Sequence, residues 1–232
     1  MNRPPRAYLL DALGTLLELE PPAPPLRREL RTRFDLELSI EEAQGAIRAE
    51  IAFYRANHDA ARDRASLASL RRRAAIALRE ALPQRARDVP LGPLTEALLA
   101  ALRFRPFPEV PDALARARAA GARLVVVSNW DVSLHDVLAD TGLAPLLDGV
   151  VTSAELGIGK PAPAIFRRGL ELAGVRAEEA LHVGDELEVD VAGARAAGIP
   201  ALLLVREGAP PPGAEAIGSL AELPGLGAPG GG

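Results

Sequence analysis

The chain has 232 residues, 48% hydrophobic and 25% charged, with a formal net charge of -4; this is an ordinary globular composition with enough apolar content for a real core, and it excludes a disordered, collagen-like or coiled-coil chain. The absence of cysteine excludes a disulfide framework, a zinc knuckle and a thiol nucleophile. The acidic balance gives no general attraction for nucleic acid or anionic lipid, so any anionic ligand must be held locally.

From the N-terminus, the first strand is expected at 8–10. The run from Ala7 to Glu20 follows Arg3 and Arg6 and superficially resembles a signal peptide, but Asp11, Glu18 and Glu20 interrupt it where an apolar segment belongs. No apolar run approaches the roughly 18 residues of a spanning helix, and the expected location is cytoplasmic. The prolines of Pro21-Pro22-Ala23-Pro24-Pro25 read as a hinge. Strand signals are then missing until about 104, while helical ones recur at 26–34, 40–58, 67–82 and 93–102. Ser39 and Glu42 form a capping box for the second of these, and Ala43, Ile47, Ile51 and Tyr54 share one of its faces. A second hinge spans 104–111.

Beyond it, short apolar runs alternate with helical segments. Strands are expected at 124–127, 150–152, 181–183 and 201–205, and helices at 112–120, 133–140, 163–173 and 189–197, most closed by a glycine such as Gly121, Gly174 or Gly198. Unbroken apolar runs of this length suit strands buried on both faces of a parallel sheet. The expected fold is therefore α/β, a doubly wound, Rossmann-like parallel sheet of residues 1–20 and 105–207, with a helical insertion at 21–104 and a peripheral Gly/Pro-rich C-terminal tail at 208–232. Within that tail one short helix is expected at 219–223.

Ligands of such a sheet gather at the carboxyl ends of its strands. The polar residues expected there are Asp11, the pair Ser128-Asn129, Lys160, Asp185 and Asp190. Lys160 is the only lysine in a chain that otherwise writes its cations as arginine. Acids facing a lysine and a hydroxyl-amide pair describe a metal-assisted anion site, and a hard cation such as Mg²⁺ takes oxygen ligands.

Four segments carry a family resemblance. Leu9-Leu10-Asp11-Ala12-Leu13-Gly14-Thr15-Leu16 resembles the first motif of the haloacid dehalogenase superfamily, and Val126-Val127-Ser128-Asn129 the second. Lys160-Pro161 resembles the third, and His182-Val183-Gly184-Asp185 with Asp190 the fourth. They occur in the family's order, and the insertion at 21–104 stands where one subgroup carries a helical cap. The resemblance implies Asp11 as a carboxylate nucleophile, Lys160 as the cation that neutralises it, and Ser128 and Asn129 as substrate-binding donors. It also implies Mg²⁺ held by Asp11, the Leu13 carbonyl and Asp185, with Thr15 and Asp190 in supporting roles, and a small phosphorylated molecule as substrate.

One departure matters. Phosphatases of the family carry a second Asp two residues after the nucleophile, as acid and base; here that position is Leu13. Losing such a group costs about 10²- to 10⁴-fold in rate, unless a surrogate such as Asp131 serves. Three readings follow: a slow Mg²⁺-dependent phosphatase; a 2-haloacid dehalogenase, which lacks the second Asp and works without metal; and a catalytically weak binding or regulatory protein. Trp130 is read as pocket floor or as packing, His182 as a buried structural residue, and the arginines from Arg62 to Arg73 as a solvated face.

Overall fold

The computed structural model describes residues 4–226. In chain order its strands and α-helices are β1 (Ala7–Leu10), β2 (Leu17–Leu19), α1 (Ala23–Phe34), α2 (Ile40–Asn57), α3 (Arg64–Ala81), α4 (Leu91–Ala101), β3 (Phe104–Pro106), α5 (Val110–Ala119), β4 (Arg123–Ser128), α6 (Leu134–Asp140), β5 (Gly149–Thr152), α7 (Ser153–Leu156), α8 (Pro163–Ala173), β6 (Ala180–Gly184), α9 (Gly193–Ala196), β7 (Ala201–Leu204) and β8 (Ala216–Ile217). The chain divides into two compact units, Leu19–Arg105 and the rest.

The second of these is an α/β unit built on a six-stranded sheet of order β5-β4-β1-β6-β7-β8, parallel throughout. Successive side chains of a strand face opposite sides. Ala7, Leu9, Val125, Val127 and Val151 join Ile165 and Phe166 in one apolar cluster, while Tyr8, Leu10, Leu124 and Val126 are buried on the other face. The chain runs outward through β4 and β5 on one side of β1, then returns to build β6 and β7 on the other. This reversal opens a crevice at the carboxyl end of β1.

The helical unit contains α1 to α4 around its own core of leucines and alanines, among them Leu26, Leu30, Ala75, Leu78, Leu94 and Leu98. α2 opens on the expected capping box, in which Ser39 Oγ accepts from the Glu42 amide and the Glu42 carboxylate from the Ser39 amide. α1 begins at Ala23 and so takes in Pro24 and Pro25, which were expected to lie in a hinge; first-turn prolines lack only N–H groups that have no helical partner anyway. Where the chain passes between the units, β2 and β3 pair as a two-stranded sheet, so the expected hinge at 104–111 contains a strand.

The expected peripheral tail also needs correcting. Its segment Ala216–Ile217 is the edge strand β8, the Leu203 and Val205 amides donate to the Glu215 and Ile217 carbonyls, and Leu220 and Leu223 are buried. A single 3₁₀ turn forms at Leu220–Glu222. The remainder of the tail, 227–232, lies outside the described residues.

Candidate active site

Asp11 is the first residue past β1. Its amide donates to the Val183 carbonyl of β6 at 3.0 Å, so the neighbouring strand fixes its backbone. Ser128, the last residue of β4, donates from Oγ to Asp11 Oδ1 at 3.0 Å. Lys160 Nζ donates to Asp11 Oδ1 and to Asp190 Oδ1, each at 2.5 Å, with all three side chains buried. One ammonium thus bridges two acids that lie 179 positions apart in sequence numbering (190 minus 11).

Asn129 is brought to the same place with a different task. Its Oδ1 accepts from the Lys160 amide at 2.7 Å, and its Nδ2 donates to the Lys160 carbonyl at 2.9 Å. The side chain expected to face substrate is bracketed on the main chain of the lysine, which makes it a clamp on the Lys160 loop. Gly159 permits the approach, since a Cβ there would lie 2.6 Å from Asn129 Oδ1.

Asp190 sits in a π-turn, Leu187–Ala192, where a helix was expected from 189; such turns favour functional sites. The turn aims Asp190 back at the strand ends, where its carboxylate also accepts from the Glu186 amide at 3.1 Å and faces His182 Nε2 at 3.2 Å. A carboxylate only accepts, so Nε2 carries the imidazole proton. His182 Nδ1 is buried without a partner among the described residues, and Phe166 packs edge-on against the ring. Burial alone would raise Asp190, but the Lys160 charge and the His182 hydrogen bond outweigh it and hold this acid well below its ordinary range. Burial would likewise lower Lys160; its two acids more than offset this, and the ammonium stays charged.

Two glycines make room for acids. A Cβ on Gly14, which turns the chain at φ +82°, would overlap the Asp185 carboxylate, and one on Gly184 would overlap that of Asp190. Asp11, Asp185 and Asp190 each offer an oxygen, all within 4.8 Å of one another. Lys160 is the one amine bonded into this group, and negative charge remains in excess. Asp185 shows the consequence: its carboxyl is pushed up to about 7, first by burial and then by the charges of Asp11 and Asp190. An all-oxygen donor set with surplus negative charge fits a hard divalent cation.

Thr15 is fully buried, and its Oγ1 has no partner among the described residues. The Leu13 side chain is 37% exposed. Asp131, the surrogate considered for position 13, is 1% exposed, and its Oδ1 accepts from the Ser133 amide at 2.6 Å. Trp130 is buried beside Ser128 and Asn129 in sequence. One residue escaped the sequence reading: Arg206, just past β7, donates to the Gly14 and Thr15 carbonyls.

The family model for haloacid dehalogenase-like hydrolases matches residues 5–198. A phosphoserine phosphatase of Thermus thermophilus is 41% identical over 126 residues, 53% of this chain and 49% of that protein, so the chain spans about half the length of this relative. Among solved structures, a phosphatase of the same superfamily from Thermococcus onnurineus superposes with a TM-score of 0.63 at 24% identity, covering 94% of this chain and 95% of that one. A 2-haloacid dehalogenase from Pseudomonas syringae superposes with a TM-score of 0.65 at 24% identity, covering 95% and 97%. At that identity the two structures share the fold with this chain and do not choose between their activities.

Proposed function

This chain belongs to the haloacid dehalogenase-like hydrolases, and from that premise we propose that it is a Mg²⁺-dependent phosphatase acting on a small phosphorylated molecule through an aspartyl intermediate at Asp11. The observation that carries the reading is the three-carboxylate group, Asp11, Asp185 and Asp190, built around one buried lysine. The similarity to a phosphoserine phosphatase over about half of the chain supports it. The helical unit has the place in the chain that a cap has in one subgroup of the family.

In the proposed reaction an Asp11 oxygen attacks phosphorus and the bond from phosphorus to the ester oxygen breaks, leaving the phosphoryl group on Asp11. The departing oxygen takes its proton from water, because Leu13 offers none. A water then attacks the acyl-phosphate, which frees phosphate and restores the carboxylate. Ser128 and Lys160 hold Asp11 in place, and the ammonium offsets charge on the transferring group. Asp190, with His182 behind it, keeps Lys160 charged and aimed, while Asn129 fixes its backbone. Asp11, the Leu13 carbonyl and Asp185 would hold Mg²⁺, which when bound neutralises phosphate charge and orients the ester.

The missing second Asp also fits a second reading, displacement of halide from a 2-haloacid by Asp11 without metal, although Leu13 stands where those enzymes usually have a Tyr. A panel of phosphate esters and 2-haloacids assayed with Mg²⁺ and with EDTA separates the two. Slow phosphate release that EDTA stops is the expected result; halide release that persists in EDTA would replace the first reading with the second, and turnover of neither substrate class would favour a binding protein.

A further inference from the structure

Arg206 follows β7, which is two strands away from β1 in the sheet. Its guanidinium reaches the turn after the nucleophile, with Nε donating to the Gly14 carbonyl at 3.0 Å and Nη2 to the Thr15 carbonyl at 2.7 Å. The third arm, Nη1, pairs with Glu109 Oε1 at 2.7 Å, and the guanidinium carbon stands 3.4 Å from the centroid of the Phe107 ring. Partial burial would raise the Glu109 carboxyl, but the Arg206 hydrogen bond and charge hold it below its ordinary range. The fork is therefore pinned on one side by an acid and an aromatic face, and grips two successive carbonyls with the other. Only a planar guanidinium has donors in that geometry; an ammonium cannot reproduce it.

The gripped peptide touches the proposed cation site twice. Gly14 adopts the positive φ that leaves space for the Asp185 carboxylate, and its amide is tied to the Leu17 carbonyl at 2.8 Å, so both of its polar groups are held. The residue before it is Leu13, whose carbonyl is a proposed ligand. We propose that Arg206 is a positioning residue, a clamp reaching from two strands away that fixes the 13–15 turn and thereby the relation between the Leu13 carbonyl and Asp185. The inference rests on the Mg²⁺ reading for its second step, though not for its first.

Two readouts separate those steps: amide hydrogen exchange of the 12–17 segment, and calorimetric titration with Mg²⁺, in wild type, Arg206→Lys and Arg195→Lys. Arg195 bonds the Ala201 carbonyl and Glu215, away from the turn, and serves as a control for losing any structural arginine. Arg206→Lys should speed exchange at 12–17 and weaken Mg²⁺ binding by about 10- to 100-fold, the usual cost of losing a group that orients metal ligands, while Arg195→Lys changes neither. If Arg206→Lys does not fold, Phe107→Leu, which removes the ring beneath the guanidinium, should give a smaller shift in both. Unchanged exchange in these variants would overturn the clamp. Faster exchange with unchanged Mg²⁺ affinity would overturn its link to the cation site, and a wild type that binds no Mg²⁺ would overturn the cofactor reading while exchange still decides the clamp.

Discussion

A hydrocarbon at position 13 cannot hand a proton to a leaving alkoxide, nor draw one from an attacking water, so in the proposed phosphoryl transfer the acid/base work would fall to solvent. Because Leu13 is 37% exposed, a carboxylate there would stay hydrated and escape the penalty of an unpaired buried charge. Leu13→Asp should therefore fold normally and raise phosphate-ester turnover by about 10² to 10⁴; steady-state kinetics that show no gain would count against phosphoryl transfer. At this scale the strand-end acids and Lys160 were legible, because polar residues that close apolar runs stand out and the one lysine stands out among arginines. The partners were not. That Asn129 brackets a backbone and that Asp190 also faces His182 are facts of three-dimensional approach, and Arg206 is one arginine among many.

Asp185 belongs equally to this scale. Its oxygen joins those of Asp11 and Asp190 in a space where charge is under-compensated. Asp185→Ala should abolish Mg²⁺ binding in calorimetry while leaving the fold in place, and undiminished affinity would remove the proposed cation site.

Among the elements, α2 carries a buried acid that the reaction does not use. Glu50 is 3% exposed, and burial pushes its carboxyl from the ordinary 4.5 up to about 7. Between those values the folded state binds the proton more tightly than the unfolded one, so the contribution is full below about 4.5 and is lost as pH rises through about 7. The loss is at most on the order of 3 kcal/mol. Glu50→Gln, which is neutral at every pH, should flatten that slope: urea melts at pH 5 and pH 8 should differ less for the variant than for wild type. An identical difference would place the pH sensitivity elsewhere. Helices with caps and glycine stops were readable in sequence, α2 best of all. Three-residue strands such as β2 and β3 present no periodicity to read, and β8 forms from two residues that only an adjacent strand can recruit.

For the whole molecule, the sheet order explains why three sequence-distant residues meet: β1 lies between β4 and β6, so Asp11, Ser128 and Asp185 leave adjacent strands at one end of the sheet. The parallel α/β class followed from unbroken apolar runs alternating with helices, and the order of the strands came only from the structure. The central claim is that Asp11 receives the phosphoryl group in a cation-dependent step. Wild-type protein and Asp11→Asn, each mixed with a phosphate ester in Mg²⁺ or EDTA, quenched in acid and digested, can be mapped by peptide mass spectrometry. The account predicts a phosphorylated Asp11 peptide in wild type with Mg²⁺, lost in EDTA, and no phosphate release from Asp11→Asn; phosphate release that continues in Asp11→Asn, or without any adduct on Asp11, would contradict it.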